Sequence, residues 1–326
     1  MGITPELLRR TTAQVSGSET RPLQNDVAVS RRHVIGHLTI QEKTMQLKKG
    51  FRWAASLASL AIAVTAHAGA LTTPYAVSTG QQQMPVEVSA GTNGDQLILF
   101  SDEVDARYKL RYDSNGAPLT TDKEALGAGF GDSIAADRVG NHVVLGTVSG
   151  LPGIYARVYN RAGAIITPQF RTDENTGGTQ ANAVVAMNSN GVIAAAWSSY
   201  YSTLSTQYVQ IRLFNRDGTP RSGMMAVASS ADQYISPTSI AIDGNNNVTV
   251  VWQQRNYATP IGFNVWMRRY NGTGAALTNA IKMNDSSDQA LFPHVGTNTA
   301  GTLVATWSTY APSTNSRVIM GQRYDS

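Results

Sequence analysis

The sequence predicts an all-β fold, a five-bladed β-propeller of four-stranded antiparallel blades whose ring is closed by the N-terminal strand of the mature chain. Three observations predict it. A strand that ends in an aromatic and runs into a polar, Gly-bearing turn recurs five times. Upstream of each copy stands an alternating strand, a Gly/Asn turn and a second, apolar strand. The repeat length, 47 to 56 residues between the aromatics, is that of four short strands, the size of one blade.

The first signal reads Leu110-Arg111-Tyr112-Asp113-Ser114-Asn115-Gly116, and its aromatic returns as Tyr159, Phe214, Tyr270 and Tyr324. Asn115-Gly116 and Asp217-Gly218 are hairpin dipeptides, which predicts type I′ turns with positive φ at both central positions. The second signal spans 86–100, 133–146, 182–197, 238–252 and 294–307. It ends on Phe100 in unit one and on Trp197, Trp252 and Trp307 in units three to five; unit two has Gly146 there. In unit three Val192, Ala194 and Ala196 alternate with Ile193, Ala195 and Trp197, so both faces are apolar, as in a strand packed between two neighbours. Phe100, Trp197, Trp252, Trp307, Tyr112, Tyr159, Phe214, Tyr270 and Tyr324 are therefore assigned to the core between blades, the alternative for the Trp residues being sugar-stacking platforms. Arg157, Arg212 and Arg268, two places before their aromatics, read as a structural ladder rather than an anion site, because they repeat.

Residues 45–68 have the order of a secretory signal peptide: basic Lys48, Lys49 and Arg52, a short apolar run from Ala54 to Val64, and Ala66-His67-Ala68 before Gly69. The apolar run is too short to span a bilayer, which takes roughly 20 residues. The chain is thus expected to be exported, periplasmic or extracellular, after cleavage near Ala68/Gly69, with no membrane span in the mature part. Residues 1–44 read as an upstream over-extension of the frame, with Met45 the initiator, or as a disordered tail. The domain is 69–326, five units of about 52 residues. Its fifth unit lacks a fourth strand after Tyr324, and 69–80 is assigned to supply it: Gly69-Ala70-Leu71-Thr72 is like Gly274-Ala275-Ala276-Leu277-Thr278, and closure removes an exposed edge.

Composition narrows function. The chain carries 26 Lys+Arg and 22 Asp+Glu, but residues 1–68 hold 9 and 4 of them, leaving 17 and 18 for the domain. A nucleic-acid partner, which calls for a basic stripe on the folded part, is not expected. No cysteine is present, which removes disulfides, thiolate metal sites and thiol nucleophiles. Of five histidines only His142 and His294 fall in the domain, without metal-ligand spacing, and no cofactor fingerprint occurs; neither metal nor cofactor is expected.

The best functional signal is the set of polar loops entering the inner strands. Asp232-Gln233-Tyr234-Ile235-Ser236-Pro237 parallels Asp288-Gln289-Ala290-Leu291-Phe292-Pro293, and units one and three offer Gln82, Gln180 and Asn182. Loops on a rigid scaffold are favoured binding sites, and amides match vicinal hydroxyls. Gln82, Gln180, Asn182, Gln233, Tyr234, Gln289 and His294 are accordingly the candidate ligand-binding residues. For glycoside hydrolysis two facing carboxylates are needed, and Glu87, Asp132, Asp137 and Asp243 are the available ones; no catalytic residue is assigned.

These units, with Asn/Asp-x-x-Gly turns and strands ending in Val/Ala-x-Trp-Ser, resemble degenerate propeller repeats of secreted bacterial proteins. The architecture is similar to that of five-bladed propeller lectins, a resemblance that implies one sugar per blade. Unit two lacks the Trp and the loop Gln is not in every unit, so five equal sites are not implied. The reading is a secreted, lectin-like recognition module whose partner is a glycan or another cell-surface component. A structural or protein-interaction propeller, and a five-bladed glycoside hydrolase, stay open as alternatives.

Overall fold

The computed structural model describes residues 84–326 apart from 92, 103–105, 129, 175–176, 232–233, 257–261, 285–288 and 312–315. Residues 1–44, the leader 45–68, the closing segment 69–80, Gln82 and Gln233 lie outside the described residues. The described residues form five antiparallel sheets and no helix, hence none long and apolar enough to cross a membrane. Each sheet is one blade of a five-bladed propeller. Blade 1 is β1 (Met84–Ala90), β2 (Gln96–Ser101), β3 (Ala106–Tyr112) and β4 (Glu124–Ala128). Blade 2 is β5 (Ser133–Ala136), β6 (His142–Val148), β7 (Leu151–Tyr159) and β8 (Ile165–Arg171). Blade 3 is β9 (Thr179–Met187), β10 (Ile193–Tyr201), β11 (Thr206–Phe214) and β12 (Met225–Ser230). Blade 4 is β13 (Ile235–Ile242), β14 (Val248–Asn256), β15 (Gly262–Tyr270) and β16 (Ile281–Lys282). Blade 5 has three strands among the described residues, β17 (Gln289–Thr297), β18 (Leu303–Ala311) and β19 (Ser316–Tyr324).

Strands within each blade pair in sequence order, and the first strands lie side by side: β1 against β5, β5 against β9, β9 against β13, β13 against β17. The turns are not the type I′ hairpins that Asn115-Gly116 suggests. Only Gly116 has positive φ there, 79°. Gly116 N–H donates to Asp113 O at 2.9 Å, Asp113 N–H donates to Ala117 O at 2.8 Å, and the Asp113 carboxylate accepts Asn115 and Ala117 N–H. This is a three-residue loop with a left-handed Gly, in which the Asp side chain fastens the loop that the I′ form would leave to backbone geometry alone. The same side-chain fastening closes the turns begun by Asp137, Asn188, Asp243, Asn271 and Asn298, with Asn246 as the left-handed residue in the Asp243 turn.

The core lies between blades. Ile193, Ala195 and Trp197 pack with Val143, Leu145 and Val158 of blade 2, while Val192, Ala194 and Ala196 pack with Val248, Val250 and Trp252 of blade 4. Trp307 packs with Val251 and Met267 of blade 4. Each Trp therefore fills the space toward the preceding blade, and full burial of such a ring is among the largest apolar contributions a side chain makes. Phe100 and Tyr112 are buried with Leu110 in a separate cluster in blade 1, Tyr159 lies in the blade 1/2 cluster, and Phe214 and Tyr270 are buried. Tyr324 is only half-buried, beside the blade 4/5 cluster. The arginines stitch blades: Arg212 donates to Thr172 O of the preceding unit and Arg268 to Val227 O, each cation over its own aromatic ring, and Arg157 bonds Tyr159 Oη and Gln169.

Candidate functional site

Six residues before the turn that ends each inner strand, the chain kinks. The residues there are Pro85, Gly131, Asn182, Pro237 and Phe292. In blades 1, 3, 4 and 5 the pairing register slips by a bulge at this point. Gly131, Asn182 and Phe292 have φ of 126°, 54° and 54°. Glycine takes such angles freely; for Asn and above all Phe they cost about 1 kcal/mol or more and persist only where neighbours enforce them. Proline, with φ locked near −65°, bends the other two blades by another route.

The neighbours that hold the kinks come from second strands and, at Pro293, from the first strand of blade 4. Asn182 Nδ2 donates to Ser198 Oγ at 3.0 Å, and Ser198 Oγ donates to Ala181 O at 2.9 Å. Phe292 N–H donates to Gln253 Oε1 of blade 4 at 3.2 Å. Thr238 Oγ1 donates to Pro293 O at 2.6 Å. Below the kinks the inner strands are pinned across blades: Ile134 N–H donates to Glu87 Oε2 at 2.7 Å, Val185 N–H to Ser133 Oγ at 3.0 Å, and Val295 N–H to Ser239 Oγ at 3.3 Å.

At this end the kinks frame a cavity of about 600 Å³ lined by residues of blades 2 to 5. Its wall includes Asp132, Asn182, Tyr234, Gln253, Phe292 and His294. Phe292 is 56% exposed and Tyr234 39%, large aromatic faces turned to solvent, unlike the buried Trp197, Trp252 and Trp307. Ser236 and Thr238 add hydroxyls to the wall. The arrangement offers flat apolar faces with amide and hydroxyl groups beside them, the requirements for holding a polyhydroxylated ring.

Of the residues singled out from the sequence, the structure brings Asn182, Tyr234 and His294 together in this cavity. Gln180 is buried and its Nε2 donates to Gly177 O at 3.1 Å, so it braces its own loop. Gln289 is half-buried with its Cγ against Gly262, and it does not line the cavity. Phe292 and Gln253 were not singled out. The signals for them were an aromatic at Phe292 where the other units have Pro, Gly or Asn, and a Gln after Trp252 where units three and five have Ser.

The carboxylates separate by role. Asp137 is fully buried, fastens its turn and pairs with Arg216 at 2.6 Å. Asp243 is buried and fastens its turn in the same way. Glu87 serves the cross-blade bond to Ile134, and burial pushes its carboxyl above the usual range. Asp132 alone of the four lines the cavity, its Oδ2 accepting Thr147 N–H at 3.3 Å. Among the described residues no cluster of three His, Asp or Glu side chains is placed to hold a metal. At the other end of the inner strands a second cleft, of about 610 Å³, is lined by Arg216 and Arg221, but these pair with Asp137 and Asn215.

No described protein family matches the sequence, and no curated protein does. Solved structures do resemble it. A Dyadobacter fermentans protein of unknown function aligns with a TM-score of 0.53 at 11% identity, over 76% of this chain and 80% of that one. An ulvan lyase aligns at 0.48 and 9% identity, over 74% and 72%, and the α-L-arabinofuranosidase Arb93A of Fusarium graminearum at 0.45 and 11%, over 75% and 80%. At these identities the first likeness is one of fold alone, and the two weaker ones carry no functional weight.

Proposed function

We propose that this protein is a carbohydrate-recognition propeller that binds one glycan at the kinked end of the ring, the alternative being a structural or protein-interaction propeller. The observation that carries the reading is Phe292: a large aromatic held in left-handed backbone by Gln253, more than half exposed, beside Tyr234 in a cavity whose wall also carries amide and hydroxyl groups. Strain that exposes an apolar ring is maintained against both backbone preference and hydrophobic burial, and functional sites are where such strain is found. The kink position carries four residue types in five blades, Pro, Gly, Asn and Phe, which favours one composite site over one sugar per blade. A hydrolase would need a second carboxylate across the cavity from Asp132, and the described residues of the wall support binding better than cleavage. Export through the 45–68 leader belongs to the same reading.

The test is a glycan array with the full chain, followed by calorimetry on the best ligand. The expected result is saturable binding to a narrow glycan set, lowered about tenfold or more by Phe292→Ala or Tyr234→Ala, the scale of an aromatic anchor truncated at an interface. A folded protein that binds no glycan, or binds equally well in both variants, overturns the reading.

A further inference from the structure

Resting on that glycan-binding reading, we infer that the ligand is an uncharged oligosaccharide and that the site rejects uronic and sulfated polymers. Among the described residues the wall of the 600 Å³ cavity contains no Lys or Arg, and its one carboxylate is Asp132, half-buried. The remaining polar groups are the amides of Asn182 and Gln253, the hydroxyls of Ser236, Thr238, Thr147 and Tyr234, and the His294 imidazole. Amides and hydroxyls both donate and accept, which suits sugar hydroxyls. They do not neutralise an anion, and an anion taken from water into a cleft without a paired cation carries an uncompensated desolvation cost. Two basic residues border the wall without lining it: Arg107 of blade 1 donates from Nη1 to Gly131 O at 3.3 Å, next in the chain to Asp132, and Arg255 of blade 4 donates its backbone N–H to Tyr234 O at 2.8 Å while its guanidinium lies over the Phe263 ring.

The selectivity is also asymmetric around the ring. Asp132 and Thr147 belong to blade 2, and the aromatic faces Tyr234 and Phe292 to blades 4 and 5. A chain of sugars stacked on the aromatics and extended across blade 3 would meet the carboxylate at its far end. An acidic residue there would face a like charge, with repulsion strengthened by the low dielectric of the walls.

The experiment compares the full chain with neutral oligosaccharides (gluco-, manno-, xylo- and arabino-series) and with oligogalacturonides and sulfated oligosaccharides of matched length, at pH 8 and low salt. The wild type should bind the neutral set at least about tenfold more tightly than the acidic set, the ratio that one unfavourable charge contact commonly sets. Asp132→Asn should narrow that gap, and His294→Lys, at an exposed position that leaves the fold unburdened, should narrow it further by adding a cation to the wall. Equal or tighter binding of acidic glycans by the wild type, lost in Phe292→Ala, would overturn the charge selectivity while leaving the glycan site standing. Absence of binding to either set would overturn the glycan reading itself.

Discussion

Two junctions of the ring solve the same packing problem with different chemistry. Between blades 3 and 4 the packed middle of the contact is apolar: Ala194, Ala196, Ile211 and Leu213 meet Ile240, Val248, Val250 and Trp252, with Trp252 stacked on Trp266 at 6.3 Å, and hydrogen bonds such as Asn188 Nδ2 to Asp243 O and the Arg268 bond to Val227 O lie at its borders. Between blades 1 and 2 the apolar cluster of Leu97, Leu99, Phe130, Ile134 and Val144 adjoins a buried ionic group. Lys109 is 1% exposed, its Nζ lying 2.8 Å from both His142 Nε2 and Glu124 Oε2 and 3.6 Å from the centre of the Tyr159 ring. The ammonium donates, so His142 Nε2 accepts and the ring proton sits on Nδ1, which donates to Gly140 O at 3.3 Å. Arg111 closes the group by pairing with Glu124. Burial lowers the Lys109 pKa to about 8 and holds His142 down to about 3. The difference teaches that the repeat prescribes a filled junction and leaves the filling open. One junction depends chiefly on shape and hydrogen bonds, and the other on protonation state as well.

The comparison breaks most sharply at Trp252. Trp252→Ala should cost about 3–5 kcal/mol, measured by urea unfolding, because it opens a cavity among the apolar side chains of Val248, Val250, Ile211 and Leu213. Acid should instead act through the blade 1/2 junction. The unfolded chain protonates its histidine as pH falls below about 6.5, whereas native His142 resists until about 3. The unfolded state therefore binds more protons in that window, and stability falls with falling pH. From pH 7 to pH 4.5 the loss should reach roughly 2–3 kcal/mol. Glu124, whose carboxyl is held below its ordinary value by Arg111 and Lys109 against an opposing burial effect, adds to the loss only at lower pH. His142→Gln should flatten the slope above pH 4.5; an unchanged slope would place the acid sensitivity elsewhere.

A smaller effect is expected at Gly146, the place in unit two where other units have an aromatic. A Cβ there would come within 2.8 Å of Gly131 N and 2.9 Å of Asp132 N, so Gly146→Ala should destabilise by about 1–3 kcal/mol despite adding only a methyl group. The smallest effect belongs to blade 5, whose β19 is exposed at every position except the half-buried Tyr324. Ile319, 75% exposed, should tolerate Ser within about 0.5 kcal/mol, whereas a loss of 2 kcal/mol or more in the full chain would show that β19 is covered in solution.

Much of the fold was legible because its signals are local. Aromatic strand ends, Asx-x-x-Gly turns and doubly apolar second strands each lie within a few residues of one another, and Val192 to Trp197 sort onto two faces as their alternation says they must. The turn type was misread because Asn-Gly suits two loop geometries, and the Asp113 side chain favours the one with a single left-handed residue. Gly146 reads in the sequence as a degenerate repeat, and in the structure it is a close approach of backbone to backbone. The candidate site was half legible. Asn182, Tyr234 and His294 stood out as polar residues in repeated loops, and Gln180 stood out for the same reason, although it turns inward.

By itself the sequence determined the all-β class, the five units and which strand faces are apolar, since periodicity and turn chemistry act over short stretches of chain. Tertiary structure decided the site and the junction chemistry. Phe292 depends on Gln253, 39 residues away, and Lys109 on His142, 33 away. Contacts of that separation are made only once neighbouring blades dock. Whether a polar side chain braces its own loop, bridges two blades or faces a ligand is settled by which partners that docking brings within hydrogen-bond reach.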